Sequence, residues 1–276
     1  MNGKLYASIG PFSWVSLSFT RRQMIVLFTD YGLAGPYTGQ VRAVLHRDAP
    51  GEAVIDLFAD LPPFDAKRAA YLLVAYAAGF PAGTVFLCVV DPGVGGDRAP
   101  VAGVVDGRWF VGPDNGIFEH VVRRASSRPI WTRIAYRPDR VSATFHGRDV
   151  FAPVAARLAQ GLSVPGEREF EGLGRFADWP DDLTEIVYVD HFGNAITGCR
   201  AASIPRHTSI IAGGQRIFFA RTFSAVQKGQ VFCYENANGL LEFAVNQGRA
   251  DTVLGLSVGS SFILDPNVSG NTSAGG

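Results

Sequence analysis

This 276-residue sequence has no net charge, few cysteines and no long apolar run. Lys and Arg total 25, Asp and Glu total 25, and charged residues make up only 18% of the chain. Because proteins that neutralise phosphates need a basic surplus, this balance argues against a nucleic-acid partner. No apolar run reaches the roughly 18 residues that span a bilayer, so we expect no membrane partner either.

Disulfide frameworks and the common nucleotide-binding and zincin motifs are also absent from the sequence. The three cysteines, Cys88, Cys199 and Cys233, lie far apart and form no CxxC pair. This spacing argues against disulfides and a zinc site, and it favours a reducing, cytoplasmic location. There is no GxGxxG after the first strand and no GxxxxGK[ST] or HExxH. Dinucleotide-binding, P-loop and zincin chemistry therefore lose their support.

The remaining composition, 47% apolar, predicts a folded body with two parts. In the first part, buried strand runs at 24–30, 53–60 and 84–91 alternate with helical patterns at 37–49 and 64–80. Such alternation predicts an α/β fold with a mostly parallel sheet. After it, short strand runs separated by Gly and Asn turns predict a smaller antiparallel β-barrel domain.

The predicted boundaries follow shifts in composition. Residues 1–23 read as an N-terminal extension before a usable start at Met24, or as an amphipathic arm that packs on the body. The α/β domain covers 24–165, a Gly/Pro/acid-rich linker 166–182, and the β-barrel domain 183–267. The small, polar residues 268–276 indicate a flexible tail.

Polar clusters follow the apolar strands of the first part. Asp30, in TDYG, could accept hydrogen bonds from a sugar diol or could serve as a turn or N-cap residue. In DPGVGGDR, the loop can bring Asp91 and Arg98 together, although an isolated DPG is more often a structural turn. Asp114–Gly116 of GPDNG favours a structural turn. His146 precedes a helix, where the helix dipole favours neutral imidazole.

Asparagine turns mark the second part. Asp190 and Asn194 flank a glycine turn in VDHFGNAIT, and Asn236 and Asn238 lie in ENANGLLEF. Side-chain amides can bind an adenine edge or an amino-acid head group. Asn-Gly is also among the commonest hairpin turns, and that structural interpretation is the simpler one for Asn238.

Taken in order, these clusters resemble one family over residues 24–260. The shared motifs are TDYG, PFD, VVDPGVG, GPDNG, TFHGRDVFAP, VDHFGNAIT and NxxGxLEFAVNQG. Together they look like the S-adenosylmethionine hydroxide adenosyltransferases, which are related to fluorinase and chlorinase. The resemblance implies an α/β domain joined to a smaller β-barrel domain. It also implies a homotrimer whose sites lie between one subunit's N-terminal domain and its neighbour's C-terminal domain.

The resemblance also implies the roles of individual residues. The hydrolytic set falls on Asp91, Arg98 and His146, and the nucleoside-binding acid falls on Asp30. The residues that contact the methionine end and the adenine fall on Asp190 and Asn194. Many members have Asn-Ser in the late turn where this chain has Asn236-Ala237, so main chain or Asn238 could supply the head-group contact.

The implied activity is hydrolysis of S-adenosyl-L-methionine to adenosine and L-methionine by attack of water or hydroxide on the ribose 5′ carbon. Asp91 or His146 would accept the proton, and Arg98 would stabilise the oxygen's negative charge. No metal or other cofactor is expected, since the sulfonium electrophile is already cationic. The alternatives are a halide-using enzyme of the chlorinase or fluorinase type and a non-catalytic adenosyl-ligand sensor.

Overall fold

The computed structural model describes residues 23–171, 173, 175–205 and 208–265. Apart from Gln23, the predicted N-terminal extension lies outside these residues, as does the predicted tail 268–276. Within the described ranges, no helix is long and apolar enough to cross a membrane.

A seven-stranded sheet organises the first part of the chain, in the order β2-β1-β3-β5-β4-β6-β7. Parallel pairings join β2, β1, β3 and β5, and antiparallel pairings join β5, β4, β6 and β7. Five strands, β1, β2, β3, β5 and β6, therefore run in the same direction, and β4 and β7 run against them. This confirms the mixed α/β fold with a mostly parallel sheet. The strands are β1 (Met24–Thr29), β2 (Ala53–Phe58), β3 (Val85–Val89), β4 (Pro100–Val105), β5 (Arg108–Pro113), β6 (Ile130–Ile134) and β7 (Gly166–Arg168).

Helices cover both faces of this sheet. Alternation along β1 sends Ile25 and Leu27 to one face and Val26 and Phe28 to the other, and all four are fully or almost fully buried. The first face packs on α1 and α4, and the second packs on α2 and α3. The helices are α1 (Tyr37–Asp48), α2 (Ala66–Ala77), α3 (Glu119–Arg123) and α4 (Ala152–Ala159), with a π-helical turn (Gly147–Phe151) leading into α4.

The second part consists of antiparallel strands, as predicted. They form a four-stranded sheet in the order β12-β13-β9-β8 and a three-stranded sheet in the order β11-β10-β14. Closure of these strands into a barrel stays a prediction, and isolated bridges from Glu185 to Ser261 and from Phe219 to Cys233 join further described residues of this part. The strands are β8 (Leu183–Val189), β9 (Ala195–Arg200), β10 (Ser209–Ala212), β11 (Gln215–Ile217), β12 (Val231–Glu235), β13 (Leu240–Val245) and β14 (Ile263–Asp265), and a short helix α5 spans Ala250–Leu254.

The segment 166–182, predicted to be a linker, makes ordered contacts with the first part. It begins with β7, which extends the large sheet by pairing with β6. Further along, Arg123 of α3 donates to the carbonyl of Trp179 at 2.7 Å and to Asp181 at 2.9 Å. The connection between the two parts is therefore held against α3 by hydrogen bonds.

Candidate active site

Two carboxylates lie side by side where β1 and β3 end. These strands are parallel neighbours, and Thr29 pairs with Val89, so the residues that follow emerge at the same edge of the sheet. Asp30 follows β1, and its main-chain N–H donates to the carbonyl of Val89 at 3.3 Å. Asp91 follows β3 after one further residue. Ligands collect at this edge in open parallel sheets.

Asp91 and Arg98 form a well-aligned, nearly buried ion pair. Nε of Arg98 lies 3.0 Å from Oδ1 and 3.1 Å from Oδ2 of Asp91, and Nη2 lies 2.5 Å from Oδ2. The two side chains are only 5% and 10% exposed, respectively. A carboxylate and a guanidinium buried this deeply require each other's charge, which fixes the position of both.

His146 completes this cluster through the same guanidinium nitrogen. Nη2 of Arg98 lies 2.9 Å from Nδ1 of His146. Because a guanidinium can only donate, Nδ1 is the acceptor, and the proton of the neutral ring is on Nε2. Burial, and then the positive charge of Arg98, lower the pKa of His146 below its usual value. The imidazole is therefore neutral at pH 7 and presents Nε2–H as a donor.

Tight packing brings the loops of Asp91 and His146 together. Gly95 has φ +81°, and a Cβ there would lie 2.6 Å from the carbonyl oxygen of Ala143. A Cβ on Gly147 would lie 1.7 Å from the hydroxyl oxygen of Tyr31. Beneath the cluster, the ring of buried Phe151 lies 5.5 Å from the Arg98 guanidinium. Only glycine permits these two approaches, which explains the glycines in DPGVGGDR and TFHGRD.

Asp30 is held by the loop that follows β2. Its Oδ2 accepts a hydrogen bond from the main-chain N–H of Phe64 at 3.0 Å. Burial raises the pKa of Asp30, the hydrogen bond from Phe64 lowers it, and nearby Asp91 raises it further. The net shift is upward, as expected for one carboxylate beside another in a partly buried site.

A second polar set lies in the C-terminal part. Asn194 donates twice to Asp190, from its main-chain N–H at 2.8 Å and from Nδ2 at 2.9 Å. Between them, Gly193 has φ +82° and Phe192 is 71% exposed. The two predicted residues therefore form one rigid turn. None of the hydrogen bonds or ion pairs found within the described ranges joins this turn to Asp91, Arg98 or His146.

This turn borders an open cavity of about 540 Å³. Tyr234 and Glu242 also line the cavity, together with Phe192 and Phe223. Glu242 is almost fully buried and accepts hydrogen bonds from the Tyr234 hydroxyl and from Nδ2 of Asn236. Burial raises the pKa of Glu242. The cavity thus combines aromatic rings with amide and carboxylate groups, which suits a polar aromatic ligand.

The two late asparagines occupy different places. Oδ1 of Asn236 accepts from the main-chain N–H groups of Asn238 and Leu240, and its Nδ2 donates to Glu242, so both ends of the amide are engaged. Asn238 lines another cavity of about 420 Å³, beside Arg124 and Arg200. The predicted contacts of Asn236 and Asn238 with substrate stay predictions.

Several side chains around the two sets were given no role from the sequence. Tyr31 and Phe64 border the first set, and Tyr234 and Glu242 border the second. Only Glu242 carries a signal in the sequence, because it is a single acid inside the apolar run LLEFAV. The others become recognisable only once the loops are placed in space.

Comparison with known proteins agrees with this architecture. The family model "SAM hydroxide adenosyltransferase N-terminal domain" matches residues 25–166, and its C-terminal counterpart matches residues 184–263. The chain belongs to the SAM hydroxide adenosyltransferase family. Both sets of polar residues described above fall within the matched ranges.

Individual relatives of this adenosyltransferase-family chain are found among curated proteins and solved structures. A Thermus thermophilus protein named (R)-S-adenosyl-L-methionine hydrolase is 43% identical over 252 residues, covering 85% of this chain and 96% of the relative. A Nocardia brasiliensis fluorinase is more distant, at 23% identity over 67% of this chain and 74% of its own. The crystal structure of an uncharacterized conserved protein from Thermotoga maritima has a TM-score of 0.79 at 31% identity, covering 88% of this chain and all of that one.

Proposed function

We propose that this protein hydrolyses S-adenosyl-L-methionine to adenosine and L-methionine. An oxygen nucleophile forms a bond to the ribose 5′ carbon while the bond from that carbon to sulfur breaks. The bonding electron pair leaves with sulfur, which becomes the neutral thioether of methionine. One proton is released for each water consumed. The reaction needs no metal in this proposal, because the positive sulfonium already makes methionine a good leaving group.

The observation that carries the proposal is the position of Arg98 between Asp91 and His146. Its Nε and Nη2 make the contacts described above, and Nη1 makes no hydrogen bond to another described residue. The free N–H groups of Nη1 and the Nε2–H of His146 can converge on one oxygen. Fixed donors in a site that excludes water stabilise a forming hydroxide without costly reorganisation.

In this arrangement Asp91 is the proton acceptor. Nδ1 of His146 is occupied by Arg98 and Nε2 carries the proton, so the neutral ring has no free basic site. Each carboxylate oxygen of Asp91 has two acceptor positions, and the contacts to Arg98 leave some of them available. His146 therefore orients the nucleophile, while Asp91 removes its proton.

Asp30 would bind the ribose diol, and the Asp190–Asn194 turn would bind the methionine amino group and the adenine. We propose that these two sets meet across subunits of a homotrimer, in agreement with the finding that no hydrogen bond or ion pair among the described residues of one chain joins them. The exposed Phe192 beside the second set and Leu33 beside the first, the latter 83% exposed, are apolar surfaces that such assembly would cover.

The electrostatics favour water over halide as the nucleophile. A fluoride or chloride ion would have to lie beside the carboxylate of Asp91, which is itself nearly buried. Arg98 offsets part of the repulsion between these two negative charges, but a halide has no proton to give to Asp91. Water has no charge to be repelled, and it loses its proton to the same carboxylate.

The test is product analysis after the purified chain is incubated with S-adenosyl-L-methionine, its two sulfonium epimers being assayed separately. We expect adenosine and methionine in equal amounts, and no adenosine from Asp91→Ala. A 5′-haloadenosine formed in chloride or fluoride would establish the halide-using alternative. Binding of substrate without adenosine release by the unaltered protein would establish the sensor alternative.

A further inference from the structure

Phe64 has an unusual main-chain conformation beside the candidate active site. Its φ is +64°, in the left-handed region, which a bulky residue other than glycine rarely adopts. The residue is 76% exposed, although its side chain is a large apolar ring. Strained residues of this kind persist where the surrounding structure enforces them, and they cluster at functional sites.

The conformation does two things at once. It aims the Phe64 N–H at Oδ2 of Asp30, 3.0 Å away. It also turns the ring away from helix α2, whose N-cap is the next residue, Asp65. An apolar residue immediately before an N-cap commonly packs against the first turn of its helix. Phe64 leaves its ring in the open instead, so the ring is free for another partner.

The order of the strands indicates which part of a bound nucleoside would meet this ring. Phe64 lies on the loop after β2, Asp30 follows β1 and Asp91 follows β3, and the sheet order is β2-β1-β3. Asp30 is therefore flanked by Phe64 on one side and by Asp91 on the other. In a ribose whose diol is bound at Asp30, the 5′ carbon and the base project from opposite ends of the ring. With the 5′ carbon towards Asp91, the base lies towards Phe64.

We propose that Phe64 provides a stacking face for the adenine ring of the substrate, and that its strained main chain couples this face to the diol-binding carboxylate. The inference rests on the proposed function for the identity of the substrate. The sulfonium lies at the Asp91 end, so the ring meets the base rather than the positive sulfur.

The proposal is tested by measuring binding of adenosine, a product, by titration calorimetry with the full chain. Phe64→Gly retains the N–H to Asp30, removes the ring and relieves the positive φ. Phe64→Leu retains bulk and strain but loses the aromatic face. We expect both variants to bind adenosine about tenfold more weakly, in the range found when an aromatic ring under a base is removed. Binding of L-methionine should not change in either variant.

Thermal unfolding separates strain from stacking. Phe64→Gly should unfold at a higher temperature than the unaltered protein, whereas Phe64→Leu should not. Glu169→Gly is the matched control, because Glu169 has φ +57° and is exposed far along the chain at the end of β7. It should bind adenosine normally.

Unchanged adenosine affinity in both Phe64 variants would overturn the proposal, and an altered subunit number in light scattering would then place the ring against a second copy. Failure of the hydrolase proposal is a distinct result, since adenosine binding is measured without turnover. If the unaltered protein binds adenosine but does not hydrolyse S-adenosyl-L-methionine, the adenosine affinities of the two Phe64 variants still decide the stacking proposal.

Discussion

Arg98→Lys tests whether catalysis depends on the shape of the guanidinium or only on its charge. Arg98 makes three contacts with Asp91 and a fourth with His146, using two nitrogens. A lysine has one nitrogen at the end of a flexible chain, so it cannot hold both partners and still donate to the nucleophile. Loss of one fixed oxyanion donor typically lowers kcat about 10²–10³-fold, or about 2.7–4 kcal/mol. We expect a decrease of this size, with little change in KM.

The assay is adenosine release at saturating substrate, followed by chromatography, with thermal unfolding of the same samples. Arg200→Lys is the matched control, because Arg200 pairs with Asp182 through Nε at 2.8 Å and Nη2 at 2.5 Å and makes no hydrogen bond to the described residues Asp91 and His146. It should keep its kcat. Near-normal turnover by Arg98→Lys would refute the reasoning, as would an equal loss in Arg200→Lys.

Three further predictions follow from packing and from titration. Gly147→Ala should destabilise the fold by about 1–3 kcal/mol, because the added Cβ would overlap the Tyr31 hydroxyl. In denaturant unfolding, adding Tyr31→Phe should recover part of this loss, and no recovery would contradict the packing argument. The acid limb of the pH profile of kcat/KM should lie below the usual histidine pKa of 6.5, because burial and then the charge of Arg98 lower the pKa of His146. A pH–rate profile with this limb above 6.5 would disprove the prediction. Burial lowers the pKa of His120 to about 4, so the unfolded chain takes up a proton that the native state does not. The contribution of His120 to the free energy of unfolding should therefore be complete above about pH 6.5 and should fall towards pH 4. In denaturant unfolding, His120→Phe should flatten this decline, and an unchanged slope would exclude His120 as its source.

The proposed assignment of Asp91 as the base is an example of geometry resolving a chemical ambiguity. The sequence leaves Asp91 and His146 as equal candidates, because both residue types accept protons near neutral pH. The contact from Arg98 to Nδ1 fixes the tautomer of His146 and makes the ring a donor. No spacing in the sequence carries that information, since it depends on how two loops fold towards each other.

The strand and helix pattern of the first part was predictable from sequence alone. Apolar runs such as MIVLFT and VFLCV can only be buried on both faces of a sheet, which implies parallel strands with helices packed on them. The same pattern placed Asp30 and Asp91 in polar turns that follow apolar strands, and the parallel pairing of β1 with β3 then showed that both turns lie at one edge of the sheet. The pairing of β7 with β6 was missed, since GER carries no strand signal and forms only because a neighbouring edge accepts it.

The sequence by itself thus determined the layered fold and the identity of the polar residues at the strand ends, because burial periodicity and turn chemistry are local properties. The tertiary structure alone decided that Arg98 bridges Asp91 and His146, that Asn236 holds Glu242, and that Phe64 turns its ring outward. The contact of Arg98 with His146 and the position of Phe64 beside Asp30 depend on segments far apart in the chain, whereas Asn236 and Glu242 meet across a hairpin. In each case the direction of the side chain follows from the contacts it makes in space rather than from the pattern of its neighbours in sequence.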